Sequence, residues 1–384
     1  MTQAMPAAQA ADGPRLAYLD NLRTFLTALV ICHHSAISQG ASGGWYYIVP
    51  PPEGSLAPVL LTMFAGVNQA FFMSLFFAVS AFFTPRSYDK KGPASYMKDR
   101  LARLGIPLVA YFFVLNPSVV YLVHRFTGRT QDGYFDFMLR RGIHETGTGP
   151  LWFVMTLLIF AALYTVLRLT ASGSRNPTRA RPLPTNRQVL GFVIGISLFT
   201  FVVRLWFPVG WAIIGMQLGY YPLYVCMYVF GVWACRYSWF EDLQPKQVSL
   251  WFRASLGLIA LMPVLMVLGG ALKGGTDVFM GGVSWQACAY AAWEPVLCVG
   301  ISMKLLVLFR TRCNGENGVT RRMARSAYTA YILHPFFVVC GTYLVTHLPV
   351  DPLVRFVALC PLAVGTCFAV SNAVRQAPLL KRIL

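Results

Sequence analysis

Arg23 and His34 stand inside the first long apolar run of this chain, residues 22–37. That run is otherwise apolar enough to cross a bilayer. A charge at the centre of hydrocarbon costs about 3 kcal/mol on insertion scales, so such residues ordinarily face a polar path or a reaction site. At 100° per residue, the steps from Arg23 to His34 leave the two about 20° apart on one helix face and roughly 16 Å apart in height. Asp20 and Thr27 share that face, and His33 is rotated well off it. Arg23 is placed to pair with Asp20 one turn below. His34 falls near the middle of a ~30 Å core. A neutral imidazole there is suited to general-base chemistry. The same spacing also describes a packed histidine and a snorkelling arginine, and spacing alone divides evenly between the two.

Three further groups of residues have types suited to chemistry. In the segment 88–107, Pro93 and Ser95 can open a helix, with Lys98, Arg100 and Arg103 near its start. Cations there oppose the helix dipole unless an anion lies between them and the free N–H groups. Arginine binds phosphate through paired, directional hydrogen bonds. Anchoring by positive charge is the plainer explanation, and spacing alone favours it. In the segment 326–335, Tyr328, Tyr331 and His334 recur every third residue as a polar seam, followed by Pro335, which disturbs a helix. Alone these read equally as interfacial tyrosines and a structural histidine. The fourth group centres on Glu294, an acid inside an apolar run beside Pro295. It reads either as a catalytic acid or as half of a buried pair with Arg204.

These residues must be positioned by membrane helices. Of 384 residues, 56% are hydrophobic and only 12% charged, about half the charge of an ordinary soluble domain. The fold class expected is all-α, a polytopic bundle of about ten transmembrane helices. The spans are expected near 20–38, 56–83, 104–123, 151–169, 189–207, 219–239, 250–272, 283–309, 328–348 and 352–373. Residues 1–14 read as a disordered tail rather than a cleaved signal peptide, and residues 15–384 as one membrane domain. The net charge of +18 is not a nucleic-acid signal: with ten spans and an inside N-terminus, 25 of the 32 Lys and Arg fall on the cytoplasmic side. That bias puts both termini in the cytoplasm. The nine cysteines are scattered, mostly within spans, with no metal-ligand spacing. The loop 40–55 is turn-rich, and its Trp45, Tyr46 and Tyr47 suit the headgroup layer. Residues 208–219, short and apolar with Gly and Pro, suit a re-entrant segment. No repeat of fixed period is present.

Taken together, these pieces resemble the acyltransferase family 3 integral-membrane acyltransferases over nearly the whole chain. Tyr18-Leu19-Asp20-Asn21-Leu22-Arg23, then ten residues and His34, is similar to the family's opening Arg-x10-His signature. Phe71-Phe72-Met73-Ser74 through Ser80-Ala81-Phe82-Phe83 resembles its Phe-Phe-x-x-Ser-Gly-Phe pattern, with Ala81 in place of Gly. Arg100-Leu-Ala-Arg103 with Pro107 resembles its basic element. Pro150-Leu151-Trp152-Phe153 resembles the opening of its fourth span. Tyr328, Tyr331 and His334-Pro335 resemble its late Tyr-x-x-Tyr-x-x-His-Pro element.

The resemblance implies transfer of an acyl group, commonly acetyl, from cytoplasmic acyl-CoA to a hydroxyl of a carbohydrate or glycan at or beyond the outer face. It implies His34 as base and Arg23 as its companion, with Arg100 and Arg103 on the CoA phosphates. Tyr328, Tyr331 and His334 are grouped with the donor site, and Glu294 with the catalytic residues. The implied setting is the cell (inner) membrane, with acyl-CoA, the acceptor and the lipid bilayer as partners and no metal or nucleic acid. A membrane transporter of a polar or acylated small molecule is the alternative, and an inactive scaffold or sensor the third reading. A carrier needs no acyl-CoA, which separates it from the enzyme.

Overall fold

The structure is a computed structural model that describes residues 16–170, 181–271, 276–378 and 380. The expected tail 1–14 and part of the basic linker after the fourth span lie outside the described residues. Ten long helices follow one another, and no strand occurs among the described residues. They are α1 (Ala17–Ser38), α2 (Ala57–Phe82), α3 (Pro93–Phe126), α4 (Trp152–Thr170) and α5 (Asn186–Arg204). After these come α6 (Tyr221–Tyr237), α7 (Pro245–Leu268), α8 (Trp285–Arg312), α9 (Gly318–Thr346) and α10 (Pro352–Val374). Nine of the described helices are long and apolar enough to cross a membrane. The tenth, α1, is long enough, but its own Asp20, Arg23, His33 and His34 lower its hydropathy.

Helix ends are fixed by polar caps rather than by hydropathy. Asn317 Oδ1 accepts the backbone N–H groups of Val319 and Thr320 at 2.9 and 2.8 Å, so α9 begins ten residues before its apolar run. Pro93 at the first turn likewise opens α3 well ahead of its apolar part. Arg100 and Arg103 therefore lie about two and three turns inside α3, past the free N–H groups of its first turn, where the dipole's reach ends. Two π-helical turns, Leu101–Gly105 and Tyr111–Leu115, interrupt α3 near Pro107 and Pro117.

Two helices occupy the centre. α1 packs against α2, α8, α9 and α10, and α2 packs in turn against α6 and α8. Small residues permit the closest approaches. A Cβ on Gly231 of α6 would overlap the Ala78 carbonyl of α2, and one on Gly300 of α8 would overlap the Trp251 carbonyl of α7. The apolar run of α7 is the most exposed of the spans, and that of α9 the most buried. Residues 208–217 form a turn-rich loop with one bridge between Ile213 and Met216, and the Thr148 hydroxyl donates to Ile214 O at 2.9 Å.

Candidate active site

One cavity, about 320 Å³, runs into the bundle between α1, α2, α3, α4, α6 and α9. Arg23, Arg100, Arg103 and Arg325 line it, and no carboxylate among the described residues does. Arg23 is held toward Asp20 at 3.7 Å, and both side chains keep part of their surface exposed. The guanidinium of Arg100 sits over the Tyr96 ring, 5.0 Å from its centroid. Deeper in, the lining becomes Thr27, Ser80, Tyr228, Phe76, Phe153 and Tyr331. A basic mouth leading to an aromatic end is the electrostatic shape expected of a site for an anionic ligand with a less polar arm.

Prolines place the tyrosines. Pro107 has no N–H, so the carbonyl of Arg103 lacks its helical donor. The Tyr328 hydroxyl supplies one at 2.9 Å and ties α9 to α3 at the cavity mouth. Pro335 frees the carbonyl of Tyr331 in the same way, and His334 Nδ1 lies 2.7 Å from it. A carbonyl accepts only, so Nδ1 carries the proton and Nε2 keeps its lone pair. That Nε2 is buried with no protein partner. The Tyr331 hydroxyl donates to Pro150 O, closing the cavity's inner end against the start of α4.

His34 does not line this cavity. It lies one layer beyond Tyr331, in a group of three nearly parallel rings. The His334 ring is 5.3 Å from that of His34 and 5.8 Å from that of Tyr331. Trp45, from the loop after α1, stacks on His34 at 3.9 Å between centroids and also lies 5.8 Å from the His334 ring. Trp45 is half-buried, with its indole against the histidine. Tyr46 is drawn inward as well: its hydroxyl bonds to Asn116 Oδ1 and lies 3.0 Å from the Tyr111 hydroxyl. Burial pushes the Tyr46 phenol up to about 12, so it stays protonated at physiological pH. His33 does not line the cavity: its buried ring packs on Phe72 of α2, 4.9 Å between centroids, and meets His34 edge-on at 5.3 Å.

Glu294 is placed elsewhere. Its Oε2 is 2.6 Å from the Arg204 guanidinium, and both side chains are buried. Arg204 Nε donates to Gly219 O at 3.0 Å, and its guanidinium lies 5.2 Å from the Tyr220 ring centroid and 5.0 Å from that of Tyr290. This pair is not part of the cavity lining. The structure thus gathers Arg23, Arg100, Arg103, Tyr328 and Tyr331 around one space, sets His34 and His334 just past its end, and leaves Glu294 apart. Arg325, Tyr96 and Tyr228 are cavity residues that sequence reasoning did not single out. The signal for Arg325 was its place one residue before the Ser326–Pro335 element.

The fold is that of a multi-pass membrane protein, with nine described helices long and apolar enough to cross a bilayer. A family model described as an acyltransferase domain matches residues 16–372, and the chain belongs to that family, acyltransferase family 3. No curated protein and no solved structure gives a match.

Proposed function

We propose that the chain moves an acyl group, acetyl in the first instance, from cytoplasmic acyl-CoA to a hydroxyl of a carbohydrate or glycan at or beyond the outer face of the cell (inner) membrane. The observation that carries this reading is the cavity lined by four arginines and no described carboxylate, ending one aromatic layer from the stacked rings of His34 and His334. CoA brings several phosphates on one end and a thioester on a long thin arm. Arg100, Arg103 and Arg325 hold the phosphates at the mouth by charge-assisted hydrogen bonds. Tyr328 and the Thr27 side of α1 flank the arm. In this reading the basic mouth faces the cytoplasm, with both termini on that side, and the positive-inside distribution of Lys and Arg supports it.

A thioester is already a good acyl donor, so the acceptor hydroxyl mainly needs its proton removed as it attacks. His34 takes that proton as general base, and Arg23 shapes the positive approach below it. Reacting atoms must come within about 3–3.5 Å. Trp45 stacks on the imidazole, and His334 with Tyr331, whose hydroxyl bonds to Pro150 O, stands between it and the cavity. Turnover therefore includes displacement of the Tyr331 side chain by the arriving donor and of Trp45 by the arriving acceptor. Such closure before substrates arrive limits hydrolysis of the thioester.

The test is incubation of the purified protein with radiolabelled acetyl-CoA and an envelope extract, followed by identification of the labelled product. A label on a glycan that depends on His34 supports the reading. No transfer to any component, with acetyl-CoA neither bound nor consumed, removes it and leaves the transporter.

A further inference from the structure

A second cavity, about 550 Å³, is larger than the first and shares no residue with it. α2, α5, α6 and α8 wall it, and residues 181–184 with Trp239, Phe240 and Leu243 close one end. The lining is apolar apart from Gln188, Ser302 and Arg181, and Arg181 is its one charge among the described residues. Val229 and Trp233, which form one wall, are 41% and 47% exposed on the outside of the bundle, so the space opens sideways along α6.

The closed end is built, not frayed. Trp239 Nε1 donates to Arg181 O at 3.1 Å, and Gln247 Nε2 donates to Pro184 O at 2.8 Å. The Arg181 guanidinium rests over the Tyr237 ring, 5.5 Å from its centroid. No described carboxylate pairs with it.

These features narrow what fills the space. An apolar cavity does not hold ordered water. A helix about 10–12 Å across does not fit a space of 550 Å³. Leaving it empty forfeits dispersion contacts along every wall. A cavity that opens sideways within the membrane-spanning part of α6 draws its contents from the bilayer, where the slender apolar molecule is a lipid chain. The unbalanced guanidinium at the end selects a negatively charged headgroup, which it meets with paired hydrogen bonds to phosphate.

We propose that this cavity holds one acyl chain of an anionic phospholipid, with the lipid phosphate on Arg181. The site is separate from the transfer reaction and does not rest on it.

The test is native mass spectrometry of the full chain after exchange into phosphatidylglycerol or phosphatidylcholine. The expected result is one retained phosphatidylglycerol per protein, held about fivefold more than phosphatidylcholine, the effect of one cation near an anionic headgroup. Arg181→Glu should abolish the preference for phosphatidylglycerol or turn it toward phosphatidylcholine. Val229→Trp, which fills the space from its exposed wall, should expel the retained lipid in both. Equal retention by the unaltered chain, an undiminished preference in Arg181→Glu, or an unchanged lipid count in a folded Val229→Trp protein would each overturn the proposal.

Discussion

The indole of Trp45 lies nearly parallel to the imidazole of His34, with 3.9 Å between ring centroids and 16° between planes. A loop residue thus covers a histidine that belongs to the core of α1. Replacing Trp45 with Ala removes that cover. Diethyl pyrocarbonate added from the loop side should then modify His34 several times faster than in the unaltered protein, read by peptide mass spectrometry. An unchanged rate would mean that another group screens the ring.

His34→Ala should lower acyl transfer by about two to four orders of magnitude, the usual contribution of a general base. Its melting temperature and acetyl-CoA affinity should change little, since the ring does not line the donor cavity. His33→Leu should keep most of the activity, because His33 packs on Phe72 and away from the cavity. The comparison is made by initial rates at saturating donor, and full activity in His34→Ala would end its role.

Arg325→Ala should raise the apparent Michaelis constant for acetyl-CoA about tenfold, the worth of one charge-assisted hydrogen bond. Arg100→Ala with Arg103→Ala should raise it further, and all of these effects should shrink at high salt. Donor titrations at two ionic strengths check this. An unchanged constant would take these arginines out of the donor site.

Glu294→Gln leaves the Arg204 charge buried and unpaired. Losing one partner of a buried pair costs about 3–5 kcal/mol, so less folded protein and a markedly lower melting temperature are expected. Adding Arg204→Met should restore part of the loss. The specific activity of the folded remainder decides the role of Glu294. Retained activity makes the pair a pin between α5 and α8, and lost activity at normal stability makes the acid part of the chemistry.

The Pro335 device fixes which nitrogen of His334 is protonated. Nitrogen-15 spectra of labelled protein should show His334 as the Nδ1–H tautomer. Pro335→Ala restores a backbone N–H to the Tyr331 carbonyl, so the Nδ1–H form should lose its dominance. An unchanged spectrum would mean that the carbonyl does not choose the tautomer.

Much of this was legible in the residues. The expected spans each coincide with a helix, because a ~20-residue apolar run has few other solutions in a bilayer. The ends of α3 and α9 were misplaced, because hydropathy marks the immersed part of a helix while Asn317 and Pro93 set where it starts. The pairing of Arg204 with Glu294 was readable, since each needed an opposite charge near by. The stripe on α1 gave the rotation of Arg23 relative to His34, but a helical wheel holds no neighbours. It therefore did not reveal that Tyr331 stands between the cavity and the imidazole, or that Trp45 lies on it. Arg325 was hidden among charges that already satisfied the positive-inside pattern. Its distinction is purely tertiary.

The aromatic end formed by Phe76, Phe153 and Tyr331 also bears on the electrical life of the membrane. Each elementary charge that slips across releases about 2.3 kcal/mol per 100 mV. A catalyst fed from one side and emptied toward the other would short-circuit that voltage if a continuous file of water joined its two mouths. Three rings and one hydroxyl bond close the inner end of the cavity, and under the proposed reaction they stand where such a file of water would have to pass.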